Sequence, residues 1–211
     1  MSDLNDTNFN SSESPEINSA ESVQKSSEPK TSLLSEIAEY AELICFSLLF
    51  VILALTMFFR ICTVKGDSMI NTLHSGEVLI VSDFFYTPER GDIVVIHQTG
   101  GRYNEPLVKR VIGLSGDRVV INHDTNEIMI TDTQGNQILL EEEYLTLIDR
   151  PQYFGTTTYD VPEGKIFVLG DNRNNSLDSR ALYDIGYVDS RRILGKAIIR
   201  LTPFSKFGAI E

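Results

Sequence analysis

The sequence GDSM at residues 66–69 decides how the rest of the chain is organised, because it follows almost directly on a long apolar run that ends at Phe59. A serine in a Gly-Asp turn is more often a hydrogen-bonding turn residue than a nucleophile. Two later segments make Ser68 more significant. LVKRVI at 107–112 places Lys109 among apolar residues, and GDNRNNSLDSR at 170–180 is densely polar. Together the three segments indicate a serine-based site close to a membrane.

The apolar run predicts a membrane anchor. Leu43 to Phe59 is a stretch of seventeen uncharged residues, nearly all of them large and apolar. As a helix it would cover about 25 Å of a hydrocarbon core that is about 30 Å thick. Neighbouring apolar residues on either side complete the span, and we place the anchor at residues 36–62, with a helical lead-in at 32–40.

Two further interpretations of this run are less well supported. A buried core helix normally has a polar stripe, whereas this run contains only Ser47 and Thr56 as polar residues. A cleavable signal peptide normally has a basic leading flank and a small-residue cleavage site, but here the flank is acidic and the run ends in Phe58-Phe59-Arg60. The sequence therefore favours an anchor that is retained.

Charge is concentrated before the anchor. Residues 1–42 carry nine acidic residues and two lysines, which account for more than half of the formal net charge of −12. Ser, Asn and acidic residues dominate the first thirty positions, so residues 1–35 are predicted to be a disordered acidic tail. The chain lacks the clustered Lys and Arg that phosphate contact requires, and no nucleic-acid binding is predicted.

After the anchor the pattern changes to short β-like runs separated by turn residues. This spacing predicts a mainly β fold, an antiparallel sandwich or barrel-like catalytic domain over 63–211, with an inserted β-hairpin subdomain at about 116–160. A short helix is predicted at 178–183. The predicted strands are 77–82, 92–97, 107–114, 118–121, 128–131, 137–140, 165–169 and 192–201.

A serine hydroxyl needs a neighbouring base before it becomes a good nucleophile. His74, His97 and His123 are formally available, but His123 lies in a turn-like stretch and is expected to be solvated. Lys109 is the better candidate, because burial in an apolar strand lowers a lysine pKa and leaves a neutral amine that accepts a proton. It is also open that Lys109 extends to solvent with only its stem buried.

The polar segment has two interpretations. A carboxylate–arginine pair formed by Asp178 and Arg180, together with Ser176, can hold a lysine amine in place. The segment could instead be a calcium loop, since Asp171 and Asn174 also lie in it. However, the bidentate glutamate that ends an EF-hand loop is absent. No metal and no other cofactor is predicted.

In order and spacing, these three segments resemble the type I signal peptidases, membrane-anchored serine proteases that use a Ser-Lys dyad. The resemblance extends over about residues 60–200. It implies that Ser68 is the nucleophile and Lys109 the general base. It further implies that Ser176 orients the lysine amine and that Asp178 with Arg180 buttresses the site.

The resemblance also implies a substrate. Preproteins with signal peptides would be cleaved after small residues in an Ala-X-Ala-like pattern, in shallow apolar pockets lined by Met69, Leu73, Leu107 and Val108. The oxyanion would be held by the Ser68 backbone N–H. Gly66 stands where some members of the family have a serine that adds a second donor.

The family topology would place the protein in the cytoplasmic membrane as a single-pass chain, in contact with lipid, with the tail at 1–35 in the cytoplasm and the catalytic domain on the extracytoplasmic side. Lysines and arginines are balanced around the span, so charge alone does not decide the orientation. The aromatic segment 84–86 is expected either in the core or at an edge that dips into the membrane.

Two positions depart from the family pattern, because Asn71 and Ser115 stand where proline is usual. Neither position carries a reacting group. Two different functions therefore stay open, that of a catalytically impaired membrane-anchored relative that acts as a binding protein, and that of another Ser-Lys processing protease.

Overall fold

The computed structural model describes residues 33–97, 105–147 and 149–210. Most of the predicted tail lies outside these ranges. The first described element is a helix, α1, at Leu33–Phe58. It confirms the lead-in from Leu33 onward, so residues 33–35 belong to the helix and not to the tail. From Ile37 to Phe58 its apolar side chains are exposed, apart from the partly buried Ala54, which argues against the buried-helix interpretation and suits a lipid environment.

A strand follows the helix directly. Phe59–Thr63 forms β1, which pairs antiparallel with β2, Val78–Ser82. The prediction that the anchor continues to residue 62 was therefore wrong. Arg60 accounts for the earlier end of the helix, because its charged side chain interrupts the apolar run and donates to the Asp83 carboxylate at 3.1 Å.

The remaining strands are all antiparallel and form two sheets. The strands after β2 are β3 Ile93–His97, β4 Pro106–Gly113, β5 Arg118–Asn122, β6 Glu127–Thr131, β7 Gln137–Leu139, β8 Thr156–Asp160, β9 Lys165–Leu169, β10 Val188–Asp189, β11 Ile193–Thr202 and β12 Gly208–Ala209. Two short 3₁₀ helices lie at Ser190–Arg192 and Phe204–Lys206. The larger sheet has the order β1-β2-β11-β3-β4-β9-β10, with β12 paired to β11, and the smaller has the order β7-β6-β5-β8.

The mainly β prediction is confirmed, and each of the eight predicted strands is present within one residue of its predicted bounds. The predicted insert forms a four-stranded sheet rather than a single hairpin, because the unpredicted strand β8 pairs with β5. The short helix predicted at 178–183 was wrong. That segment forms turns, and the Asp178 side chain binds Arg180 and the Gly170 amide instead of capping a helix.

The larger sheet curls around an apolar cluster that lies beneath the polar segments. In the order of the sheet, β1 and β4 are separated by three strands, yet residues just after β1 contact β4. Only a strongly curled sheet brings them together. The cluster consists of Val64, Met69, Leu73, Leu79, Val81, Ile93, Val95, Val108 and Ala197.

Candidate active site

Ser68 lies in a tight turn between β1 and β2. Gly66 has a φ of 80°, a left-handed conformation that favours glycine, and it starts the turn. The Leu73 amide donates to the Met69 carbonyl at 2.8 Å, which continues the turn beyond the serine. The Ser68 carbonyl in turn accepts from the Asn172 amide at 3.0 Å. The serine is thus held by backbone hydrogen bonds within its own turn and from the polar segment.

Lys109 points at this serine from the middle of β4. Its amine donates to Ser68 Oγ at 2.7 Å and to the Val108 carbonyl at 3.0 Å. The side chain is buried, at 3% exposure, so it does not extend to solvent. Burial lowers the pKa of Lys109 from 10.5 to about 8, against the opposing charges of Asp178 and Asp171. A neutral amine is therefore available near neutral pH, in contact with the hydroxyl.

Asp178 and Arg180 form a buried, bidentate ion pair. Arg180 Nε donates to Asp178 Oδ1 and its terminal nitrogen to Oδ2, both at 2.8 Å. The same guanidinium donates to the Arg173 carbonyl at 2.7 Å, while Asp178 also accepts from the Gly170 amide at 3.2 Å. The pair thus braces the loop that faces the dyad.

Ser176 lies in this loop without the predicted contact. Its side chain is buried at 2% exposure, and its hydroxyl has no hydrogen-bond partner among the described residues. It packs closely against Gly170 instead. A role in orienting the amine therefore stays a prediction.

The four predicted pocket residues divide between two apolar clusters. Met69, Leu73 and Val108 lie in the cluster beneath the dyad, whereas Leu107 packs against the cluster on the other side of β4. Next to the first cluster lies an apolar cavity of about 130 Å³ between β1 and the start of β4. Its lining includes Cys62, Val81, Val95 and Pro106.

Sequence reasoning missed a second buried ion pair beside the dyad. Arg110 donates to both carboxylate oxygens of Asp171, at 3.0 and 2.9 Å. The Thr72 hydroxyl donates to the same carboxylate at 2.5 Å, and the Tyr144 ring centroid lies 3.8 Å from the guanidinium carbon. An arginine flanked by apolar residues of a strand signals the need for a buried carboxylate, but the sequence does not say which one.

The two ion pairs argue against a calcium loop in the polar segment. The carboxylates of Asp171 and Asp178 are each occupied by an arginine. A calcium ion bound in this segment would therefore lack its principal ligands, since calcium takes most of its coordination from carboxylate and carbonyl oxygens.

At the two departures from the family pattern, side chains form hydrogen bonds that proline could not make. Asn71 donates to the Thr146 hydroxyl at 3.3 Å, and the Ser115 hydroxyl accepts from the Gly164 amide at 2.9 Å. These side-chain hydrogen bonds tie both loops to neighbouring segments where proline is usual.

His123 was expected to be solvated, and this was wrong. It is buried at 7% exposure and stacks on Tyr153 with ring centroids 5.3 Å apart. Burial and the nearby Arg180 lower its pKa. The strand pairing of β5 with β8 brings the turn that carries His123 against residues 153–155, a long-range contact that a local pattern does not contain.

The fold and the site define a serine endopeptidase, and comparison with known proteins identifies its family. The model of the family "Signal peptidase, peptidase S26" matches residues 37–202. The chain is 39% identical over 158 residues to signal peptidase I of Bacillus caldolyticus, covering 68% of this chain and 80% of that protein. It is 37% identical over 163 residues to signal peptidase IB of Staphylococcus aureus, covering 69% and 78%.

The chain belongs to the signal peptidase family, peptidase S26. A solved signal peptidase I from Enterococcus faecalis is 30% identical, with a TM-score of 0.41, and covers 53% of this chain and 97% of that one. The function is that of a signal peptidase I acting on preproteins with signal peptides, in a membrane-anchored protein.

Proposed function

We propose that Ser68 and Lys109 carry out the cleavage as nucleophile and general base. The observation that supports this most strongly is the 2.7 Å hydrogen bond between the serine hydroxyl and a buried amine. Ser68 Oγ attacks the scissile carbonyl as its proton passes to Lys109 Nζ. The resulting ammonium returns that proton to the leaving amine when the peptide bond breaks. Water then hydrolyses the acyl-enzyme, with the same lysine as base, and frees Ser68.

The remaining polar groups support these steps. The Ser68 backbone N–H holds the developing oxyanion, and Gly66 adds no hydroxyl donor. Ser176 orients the lysine amine, a role for which its buried hydroxyl, without a partner among the described residues, is free. Asp178 and Arg180 hold the loop that carries Ser176, and the charge of the carboxylate favours the ammonium formed during attack.

The substrate is a preprotein with small residues before the cleavage site. Met69, Leu73 and Val108, which belong to one apolar cluster, and Leu107, which packs against another, are the residues that we assign to shallow pockets for these small side chains. The catalytic domain works on the extracytoplasmic side of the cytoplasmic membrane. The direct test is to incubate the purified protein with a labelled preprotein in detergent and to sequence the new N-terminus.

We expect kcat/KM to rise with pH through an ascending limb centred at about 8, the pKa of Lys109. Below this pH the amine is protonated and accepts no proton, so activity falls about tenfold per pH unit. Cleavage of a fluorogenic peptide across the pH range from acid to alkaline would measure the limb. A limb centred near the ordinary pKa of a carboxyl group, about 4, would assign the base to a carboxylate and refute the role of Lys109.

We also propose that Phe84 and Phe85 contact membrane lipid. Phe85 is 91% exposed, which excludes a core position for this ring, and its φ of 47° is unusual for a bulky residue. Phe84 packs edge-on against both Phe85 and Phe58, the last residue of α1, with centroids 4.5 Å apart in each case. The aromatic pair therefore lies beside the point where the chain leaves the anchor helix.

We expect Phe84→Ser with Phe85→Ser to reduce liposome binding of a chain that begins at Met57, without a large change in Tm. The reason is that aromatic rings favour the interface between lipid and water and contribute little to this core. Leu182→Ser with Tyr183→Ser removes another exposed apolar pair and serves as the control. Unchanged flotation of the Phe84/Phe85 variant with liposomes would refute the lipid contact.

A further inference from the structure

Tyr153 covers an arginine of the catalytic loop from outside the main sheet. It lies between β7 and β8, in the insert, and its ring centroid is 4.6 Å from the guanidinium carbon of Arg180. Arg180 is 7% exposed, so this contact is largely shielded from water. A cation over an aromatic face is attracted to the ring, and the attraction is larger where water is excluded.

The insert holds Tyr153 in this position through the turn between β5 and β6. The buried ring of His123 stacks on the Tyr153 ring at 5.3 Å, with 28° between the planes. The His123 amide donates to the Gly155 carbonyl at 2.8 Å, and the Gly155 amide donates to Asp124 Oδ1 at 3.2 Å. The tyrosine is therefore held by ring stacking and, two residues later, by two hydrogen bonds at Gly155.

Arg180 connects Tyr153 to the dyad, because it contacts the tyrosine ring and binds the Asp178 carboxylate, whose charge acts on Lys109. Its bidentate pair with Asp178 neutralises the carboxylate whose charge acts most strongly on Lys109 among the nearby ionised groups. The charged groups that act on the lysine are Asp178 and Asp171, which favour the ammonium, and Arg180, which opposes it. The position of the Arg180 guanidinium thus decides how much of the Asp178 charge reaches the amine.

We propose that Tyr153, held by His123, is a positioning residue for catalysis, which keeps Lys109 ready to accept a proton by fixing Arg180 on Asp178. The proposal rests on the assignment of Lys109 as the general base. It gives the four-stranded insert a part in the chemistry, because the β5–β6 turn and the segment before β8 together hold one component of the site.

The direction of the effect follows from the charges. Without the ring, the Arg180 guanidinium gains freedom to turn towards water. Its positive charge then repels the Lys109 ammonium less, and it neutralises the Asp178 carboxylate less completely. Each change favours the ammonium, so the pKa of Lys109 rises and less neutral amine is present at a given pH. Tyr153 is not one of the proposed pocket residues, so the loss should appear in kcat and not in KM.

The test uses the full chain in detergent with a fluorogenic preprotein peptide. We expect Tyr153→Leu to move the ascending limb of kcat/KM upward by about half to one pH unit, and to lower kcat near neutral pH by about three- to tenfold. Tyr153→Phe keeps the ring and should restore the wild-type limb. His123→Ala, which removes the stacked ring, should shift the limb in the same direction by a smaller amount, and replaces Tyr153→Leu if that variant does not fold.

Tyr187→Leu is the matched control. It removes another partly buried tyrosine, whose ring centroid lies 6.2 Å from that of Phe167, and it should lower Tm while leaving the limb in place. If Tyr153→Leu lowers Tm but leaves the limb where wild type has it, Tyr153 is only structural and the inference is overturned. If wild type itself shows no limb near 8, the pKa of Lys109, it is the proposed base that fails.

Discussion

We expect Lys109→Arg to abolish cleavage as completely as Lys109→Ala, and Ser68→Ala to do the same, which is the largest effect among our predictions. Arginine keeps the positive charge and much of the length of lysine, but a guanidinium does not deprotonate in proteins. The Ser68 hydroxyl would then have a permanent cation beside it and no proton acceptor. Because nucleophile and base act as a unit, each change alone should lower kcat by at least about 10³-fold, and the combined variant should lose little more.

The measurement is the single-turnover rate with a labelled preprotein, together with the Tm of each variant. Ser68→Ala should leave Tm close to that of wild type, because it deletes one hydroxyl from a partly buried residue. Near-complete cleavage by Lys109→Arg would make the lysine a structural cation and end the dyad hypothesis. Retained cleavage by Lys109→Ala, with loss in His97→Ala, would assign the base to a histidine.

Gly170→Ala should cause the second-largest loss of activity. An added Cβ would lie 2.6 Å from the Ser68 carbonyl oxygen and 2.6 Å from Ser176 Cβ, both closer than carbon atoms approach such groups. Ser68 is part of a hydrogen-bonded turn, so its backbone must move to relieve the contact. Because misplacement of a reacting group by about 1 Å costs about 10²-fold, we expect kcat to fall by at least that factor.

Gly113→Ala is the matched control for this prediction. Its added Cβ would lie 2.7 Å from a Val119 methyl carbon and 3.2 Å from Phe167 Cβ, in the apolar cluster between the insert and the larger sheet. Overpacking there should lower stability by about 1–3 kcal/mol and leave kcat nearly unchanged. If Gly170→Ala lowered only Tm, and kcat by no more than Gly113→Ala does, then close contact at Gly170 would not control the position of Ser68.

The strands were predictable because alternation and turn residues are local signals. Glycines lie in the turns between strands, the side chains of Asn122 and Asp132 accept hydrogen bonds from backbone amides just after β5 and β6, and the core strands are rich in Val and Ile. In contrast, β1 was assigned to the anchor, because its first residues continue an apolar run and its pairing with β2 is not a property of the segment itself. Strand β8 was missed for a similar reason, since Thr156–Asp160 is polar on the outside and has only Tyr159 buried.

The contact between Ser68 and Lys109 was predicted from three segments taken together and from the family resemblance, and so was the pair of Asp178 with Arg180. The other contacts around the two residues could not be predicted. The partner of Arg110 comes from a distant segment, and the many acidic residues of the chain offer no way to choose Asp171 among them. The rings of Tyr144 and Tyr153 complete the site from the region between β7 and β8, whose position depends on the second sheet.

Strand β1, which occupies the end of the predicted anchor, limits the distance between the end of helix α1 and Ser68. Helix α1 ends at Phe58, and the Ser82 hydroxyl donates to its carbonyl at 2.9 Å, so the end of the helix is fastened to the sheet. From there the chain reaches Ser68 in ten residues, five of them in β1, which at about 3.3–3.6 Å per residue spans at most about 36 Å. With α1 in a bilayer, Ser68 therefore stays within this distance of the point where the helix ends. We propose that distance from the lipid surface acts as a second criterion for which peptide bonds are cut, because a bond held farther out in the water does not reach Ser68 however well its side chains fit.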